Sequence, residues 1–155
     1  MIPTVRRGLR ALRRRDEGGS AVVEFVFLAV LLMVPLFYLV MTLSRVQAGA
    51  YAASTAAREA GRAYVTASDQ DAASVRAEVA ARIAFEDQGF GPDEARVALA
   101  CDGAPCLRPD GRIDFTATVT VPLPLVPSFA RALVPLEVPI TASHVAVVDR
   151  FRGAP

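Results

Sequence analysis

Glu24 is the residue of this chain whose chemistry most needs explaining. It is the one carboxylate in Ser-Ala-Val-Val-Glu-Phe-Val-Phe-Leu-Ala-Val-Leu-Leu-Met-Val-Pro-Leu-Phe-Tyr-Leu-Val-Met-Thr-Leu, residues 20–43. An unpaired carboxylate at the centre of a membrane helix costs roughly 2.5–3.5 kcal/mol, so Glu24 calls for a positive partner. Cys101 and Cys106 are the only cysteines. In an oxidising compartment they favour a disulfide around Asp102-Gly103-Ala104-Pro105, the alternative being two free thiols. A metal site would want more ligands than one histidine adds, and Cys-x4-Cys is not the redox Cys-x-x-Cys spacing. His144, the lone histidine, falls on the apolar face of a strand, where it reads as a buried or edge residue. No second histidine, serine nucleophile elbow or glycine-rich phosphate loop accompanies it. The acidic pairs Glu86-Asp87 and Asp93-Glu94 fall at helix ends and turns, where solvation explains them. The expectation is no catalytic residue, no metal and no cofactor.

The element that must position Glu24 is a membrane helix. Crossing a bilayer core of about 30 Å takes around 20 apolar residues, and residues 25–43 supply them without a charge. Pro35 interrupts the run, which lipid-embedded helices tolerate. Arg6, Arg7, Arg10, Arg13, Arg14 and Arg15 precede the span and only Arg45 closely follows it. By the positive-inside rule the N-terminus is cytoplasmic and the C-terminal portion translocated, with Arg13, Arg14 and Arg15 nearest the bilayer as the topology signal. The whole chain has a net charge of +1, but residues 1–19 set six arginines against two acids and the remainder eleven against fourteen. A uniformly basic nucleic-acid surface is therefore absent, and the basic cluster suits anionic lipid instead.

Three readings of this N-terminus compete. Ala48-Gly49-Ala50 fits the small-x-small rule of a secretory signal peptide, giving a mature chain from Tyr51, but the apolar core is long for one and Glu24 is misplaced. A plain uncleaved anchor leaves Gly18-Gly19 and Glu24 unexplained. The third reading uses every feature: arginine-rich leader, Gly19, Ser20, Ala21-Val22-Val23, Glu24-Phe25 and a long apolar helix. This order resembles a type III signal of type IV pilin-like proteins. The stretch Gly-Ser-Ala-Val-Val-Glu-Phe, with Ala-Ser-Thr-Ala-Ala-Arg-Glu-Ala-Gly-Arg-Ala after the membrane, looks most like the TadE family of pseudopilins of tight-adherence (Flp-type) pilus systems. The resemblance covers roughly residues 18–65 and is weak beyond residue 90. It implies cleavage by a prepilin peptidase between Gly19 and Ser20, with an inner-membrane assembly platform and other pilin-like subunits as partners. Pro35 lies earlier than the proline of many larger pilins, so no role is transferred to it.

Elementary chemistry runs the same way. Glycine before a scissile bond lets a protease approach the backbone closely. A cut there would remove the basic leader and create an ammonium at Ser20, one helical turn from Glu24. In low dielectric such a pair, within one helix or between staggered helices, specifies register. Glu24 and Phe25 are the expected assembly residues. Alternatively, Glu24 merely reaches the headgroup region.

Beyond the span, Leu43, Val46, Ala50, Ala53, Ala57, Ala60 and Tyr64 recur at helical steps, extending one helix over about residues 21–65. Its stripe of small residues could pack on the protein's own domain or on another subunit; Arg58, Glu59 and Arg62 lie elsewhere on its surface. Ser68 can cap a second helix over about 69–87, with Val75, Val79 and Ile83 on its apolar face, ended by Gly89 and Gly91-Pro92. After Pro92 the period becomes that of strands: weakly at 96–101, cleanly at 113–121, and again at 137–149 with Val138, Ile140, Ala142, Ala146 and Val148 on one face. Pro109-Asp110-Gly111 marks a turn. The stretch 122–135 is proline-rich and reads as a connector with a short helical turn near 129–133. The fold class is α+β: a long N-terminal transmembrane helix, a second helix and a small antiparallel, pilin-like sheet. The expected organisation is a cleavable leader at 1–19, a span at 20–43, an extracytoplasmic domain at 44–151 and a frayed tail at 152–155. The expected function is that of a minor pilin or pseudopilin in a tight-adherence apparatus. The alternative is a secreted or membrane-anchored extracytoplasmic binding domain; a membrane-anchored hydrolase is disfavoured by the missing catalytic set.

Overall fold

The computed structural model describes the backbone at residues 5–123 and 136–152, and side chains from residue 20 onward. In chain order the elements are α1 (Val5–Val65), α2 (Gln70–Glu86), β1 (Ala95–Cys101), β2 (Arg112–Pro122) and β3 (Glu137–Val147). The α+β class is as expected. The expected connector turn at 129–133 and the end of the tail lie outside the described residues. The chain divides into two compact units, Met1–Met41 and Thr42–Pro155.

Helix α1 begins at Val5 rather than near residue 21. Arginine and leucine are good helix formers, and two adjacent glycines at about 1 kcal/mol each do not stop a helix that has no proline before Pro35. In the first unit the side chains from Val22 to Val40 are almost all exposed, Phe25 by 71% and Leu32 by 65%.

In the second unit the sheet is antiparallel in the order β1-β2-β3. Strand β2 is central: Phe115 lies opposite Leu99 on one side and His144 on the other. Ile113, Phe115, Ala117, Val119 and Val121 are fully buried, while the alternate residues face outward. They pack with Ala52, Ala53, Ala56, Ala57, Ala60 and Tyr64 of α1, all fully buried. Alanine keeps the helix surface low, so the sheet can come close. A Cβ added to Gly49 would lie 2.4 Å from Val121 Cγ2, and one added to Gly61 3.1 Å from Ala146 Cβ. The small-residue stripe is thus spent on the protein's own sheet at Ala53, Ala57 and Ala60, while Leu43 and Ala50 stay exposed. Tyr64 meets Phe115 edge-on, with ring centroids 5.5 Å apart, a favoured aromatic geometry.

Helix α2 corrects two expectations. Its cap is Asp69, not Ser68: Asp69 Oδ1 accepts from the Ala72 N–H at 2.8 Å, and the Ser68 hydroxyl donates to Asp69 Oδ2 at 2.8 Å. Its buried face is Ala73, Ala77, Ala81, Ala84 and Phe85, whereas Val75, Val79 and Ile83 are 63%, 38% and 52% exposed. Both stripes have helical spacing; the alanine stripe wins because it admits the close approach that lets Phe85 and Phe90 reach the core. Gly89, at φ +75°, ends the helix. The Phe90 N–H donates to Phe85 O and the Gly89 N–H to Glu86 O, the paired bonds of a Schellman stop.

Candidate functional site

The residues expected to act lie in two places. The first is the start of the apolar stretch of α1. Ser20, Glu24 and Phe25 are on helix and exposed. Ser20 and Glu24 are four residues apart, so they stack on one face with about 6 Å of axial rise between them. Among the described residues Glu24 makes no ion pair. Phe25 and its neighbours offer a continuous apolar surface with no protein against it, the kind of surface that seeks lipid or another protein. Gly19 is helical; Arg13, Arg14 and Arg15 lie on α1, but their side chains are outside the described residues. The segment from Ser20 is long and apolar enough to cross a membrane, and fits a single-pass anchor.

The second place is the β1–β2 loop. Cys101 and Cys106 form a disulfide with Cα atoms 5.5 Å apart. Asp102 organises the loop: its N–H donates to Arg112 O at 3.0 Å, its Oδ1 accepts from the Arg112 N–H at 3.1 Å, and Arg108 Nη1 lies 2.9 Å from the same oxygen. Partial burial resists ionisation of Asp102, but the hydrogen bonds from Arg108 and Arg112 and the Arg108 charge outweigh it, so its carboxyl sits below the usual range. The Asp69 carboxyl is also held below its ordinary value, chiefly by the Ala72 N–H and then by the Ser68 hydroxyl. Gly111 closes the turn where a Cβ would come within 2.9 Å of the Cys106 and Arg108 carbonyl oxygens.

His144 lies on the inner face of β3, half-buried, with Cδ2 about where a Cβ on Gly61 would touch it, at 3.2 Å. It is a packing residue of the sheet–α1 interface. Among the described residues no group of three His, Cys, Asp or Glu could hold a metal ion. Sequence reasoning gave Arg45 only a flanking charge, yet its guanidinium stacks 4.9 Å above the Phe90 ring, a cation–π contact. It also missed Arg152, which donates to the carbonyl oxygens of Val65 (2.9 Å), Ala67 and Ser68 (2.9 Å) at the carboxyl end of α1. Spacing alone could not show either contact, because both partners are distant in sequence.

In comparison with known proteins, residues 19–62 match the family model described as TadE-like protein. No curated protein and no solved structure matches the chain. The matched stretch starts at Gly19, takes in Ser20, Glu24, Phe25 and the apolar span, and runs on through the alanines packed under the sheet. Over residues 19–62 the chain is similar to the TadE-like family.

Proposed function

We propose that the protein is a minor pilin or pseudopilin, a structural rather than catalytic component in the assembly of a tight-adherence pilus or related secretion apparatus. The observation that carries this reading is the coincidence of the TadE-like match with a helix that presents Ser20, Glu24 and Phe25 in order at the start of an exposed apolar surface. In this reading the chain is inserted with its N-terminus cytoplasmic, and a prepilin peptidase cuts between Gly19 and Ser20. The new ammonium meets Glu24 within the helix or on a neighbouring subunit. Charge pairing in low dielectric then fixes how adjacent apolar helices align. Other pilin-like subunits and an inner-membrane platform are the partners.

A mature chain starting at Tyr51 fits less well. That cut would split α1 between Gly49, packed against Val121 and Ile140, and the buried Ala52. N-terminal sequencing of the membrane-extracted protein decides: Ser20 is expected, and Met1 or Tyr51 would replace the reading by an uncleaved anchor or a secreted domain. Glu24→Leu should leave membrane insertion intact and abolish pilus assembly; normal pili from that variant would remove Glu24 from the mechanism.

A further inference from the structure

Among the described residues the sheet has two free edges, and they differ. In an antiparallel ladder, successive residues turn their backbone N–H and C=O alternately toward and away from a given neighbour. The Thr120 N–H donates to Glu94 O at 2.7 Å and the Asp102 N–H to Arg112 O at 3.0 Å, so the even-numbered residues of β1 bond β2. Val97 and Leu99 therefore aim their N–H and C=O groups outward, where the strand order leaves no neighbour. On β3 the outward position opposite Thr120 is Pro139, which has no N–H, followed by exposed Thr141 and Ser143. That edge is blunted in the way natural sheets avoid further pairing. The β1 edge has no proline, and a cleft of about 430 Å³ opens beside it, with Val97 and Leu99 on one wall and Glu78 and Arg82 of α2 on the other. Leu99 is 43% exposed there. Arg82 is held only loosely, 3.8 Å from Glu86 with both side chains more than half exposed.

We propose that this edge is an interface for a second copy of the chain, β1 pairing antiparallel with β1 about a two-fold axis at Ala98. A two-fold interface must be its own complement, and this one is. Centring on Ala98 pairs the whole of Ala95–Cys101 and sets Val97 against Leu99 of the second copy, so the four outward backbone groups of Val97 and Leu99 in each strand find partners. Arg96 then faces Ala100 of the second copy, and no like charges oppose. The same axis lays the two α2 helices side by side in opposite directions, bringing Arg82 to Glu78 of the second copy and Glu78 to its Arg82. Leu99 of each copy closes over the other's cleft, and the two sheets become one. Only β1 and α2 take part, so the interface stands whether or not the chain enters a pilus.

The test uses the full-length chain in its membrane. On the axis, Ala98 and its counterpart form a non-hydrogen-bonded pair with Cα atoms about 4.5 Å apart, within disulfide reach. Ala98→Cys is expected to run as a reductant-sensitive dimer, and Ala100→Cys as a monomer. Mixing Arg96→Cys chains with Ala100→Cys chains should restore the crosslink. Val97→Pro in the Ala98→Cys background deletes an outward N–H that the chain's own sheet does not use. It should abolish the dimer while the Cys101–Cys106 bond, read by peptide mapping, still reports folding. Equal crosslinking from Ala98→Cys and Ala100→Cys, no crosslinking from either, or a dimer that survives Val97→Pro with the native disulfide intact overturns the interface.

Discussion

Residues 22–41 and residues 49–64 of α1 share one backbone geometry and little else. The first stretch carries large apolar side chains that nearly all stand free of protein. The second carries alanine and glycine along most of its contact with the sheet, with Tyr64 alone as a large residue at its end, and there it is fully buried. Hydrophobic size therefore marks the part of the helix that its own chain leaves uncovered, and smallness marks most of the part that folds against its own chain. This departs from the usual expectation that the large apolar residues of a helix form its core face, and α2 departs likewise by burying four alanines with Phe85 and exposing Val75, Val79 and Ile83.

Substitutions can break or sharpen this contrast. The largest effect is expected at Phe115, fully buried in the central strand against Tyr64. Phe115→Ala should cost about 3–5 kcal/mol, read as a loss of denaturation midpoint for the whole protein in detergent. Ala57→Leu tests the second stretch directly: overpacking beneath the sheet should cost about 1–3 kcal/mol or more. Leu32→Ala, in the first stretch, should stay within about 0.5 kcal/mol. Equal losses from Ala57→Leu and Leu32→Ala would erase the distinction between the two stretches. Removing both cysteines of the short 101–106 ring should cost about 2 kcal/mol, as expected for so small a loop, with helix content unchanged by circular dichroism.

The smallest effect is set by pH. Asp69 and Asp102 both have folded-state acidities below the ordinary carboxyl value of 3.8. A depressed pKa means that the folded state prefers the ionised group, so this stability is fully present above 3.8 and is lost as pH falls below it. Melting temperature should hold steady down to about pH 4 and drop below that. Asp69→Asn, which keeps a capping oxygen without the charge, should flatten part of the drop.

The sequence makes much of this legible. The membrane-length run, the alternation of residues 113–121 and the turn at Pro109-Asp110-Gly111 depend on local pattern, and the strands and turn stand where that pattern sets them. The Gly19–Ser20–Glu24–Phe25 order is likewise readable, because these residues are close together in sequence and fall within the stretch that matches the TadE-like model. The face of α2 was not readable. Two stripes of that helix have the same period, and which one is buried depends on how closely the sheet approaches. The cap went to Asp69 rather than Ser68 because a carboxylate can accept from the Ala72 N–H and the Ser68 hydroxyl at once. The unpaired β1 edge follows from strand order, which no single strand encodes.

Arg152 carries a consequence for how the second unit comes together. Its guanidinium ties off three carbonyl oxygens where α1 ends and the chain turns toward α2, yet it follows the last strand. The turn between the helices is thus completed only when β3 has docked, and losing β3 would undo it. One side chain thus couples the last strand to the junction of the two helices, and a chain cut before β3 would leave those three carbonyl oxygens without their guanidinium.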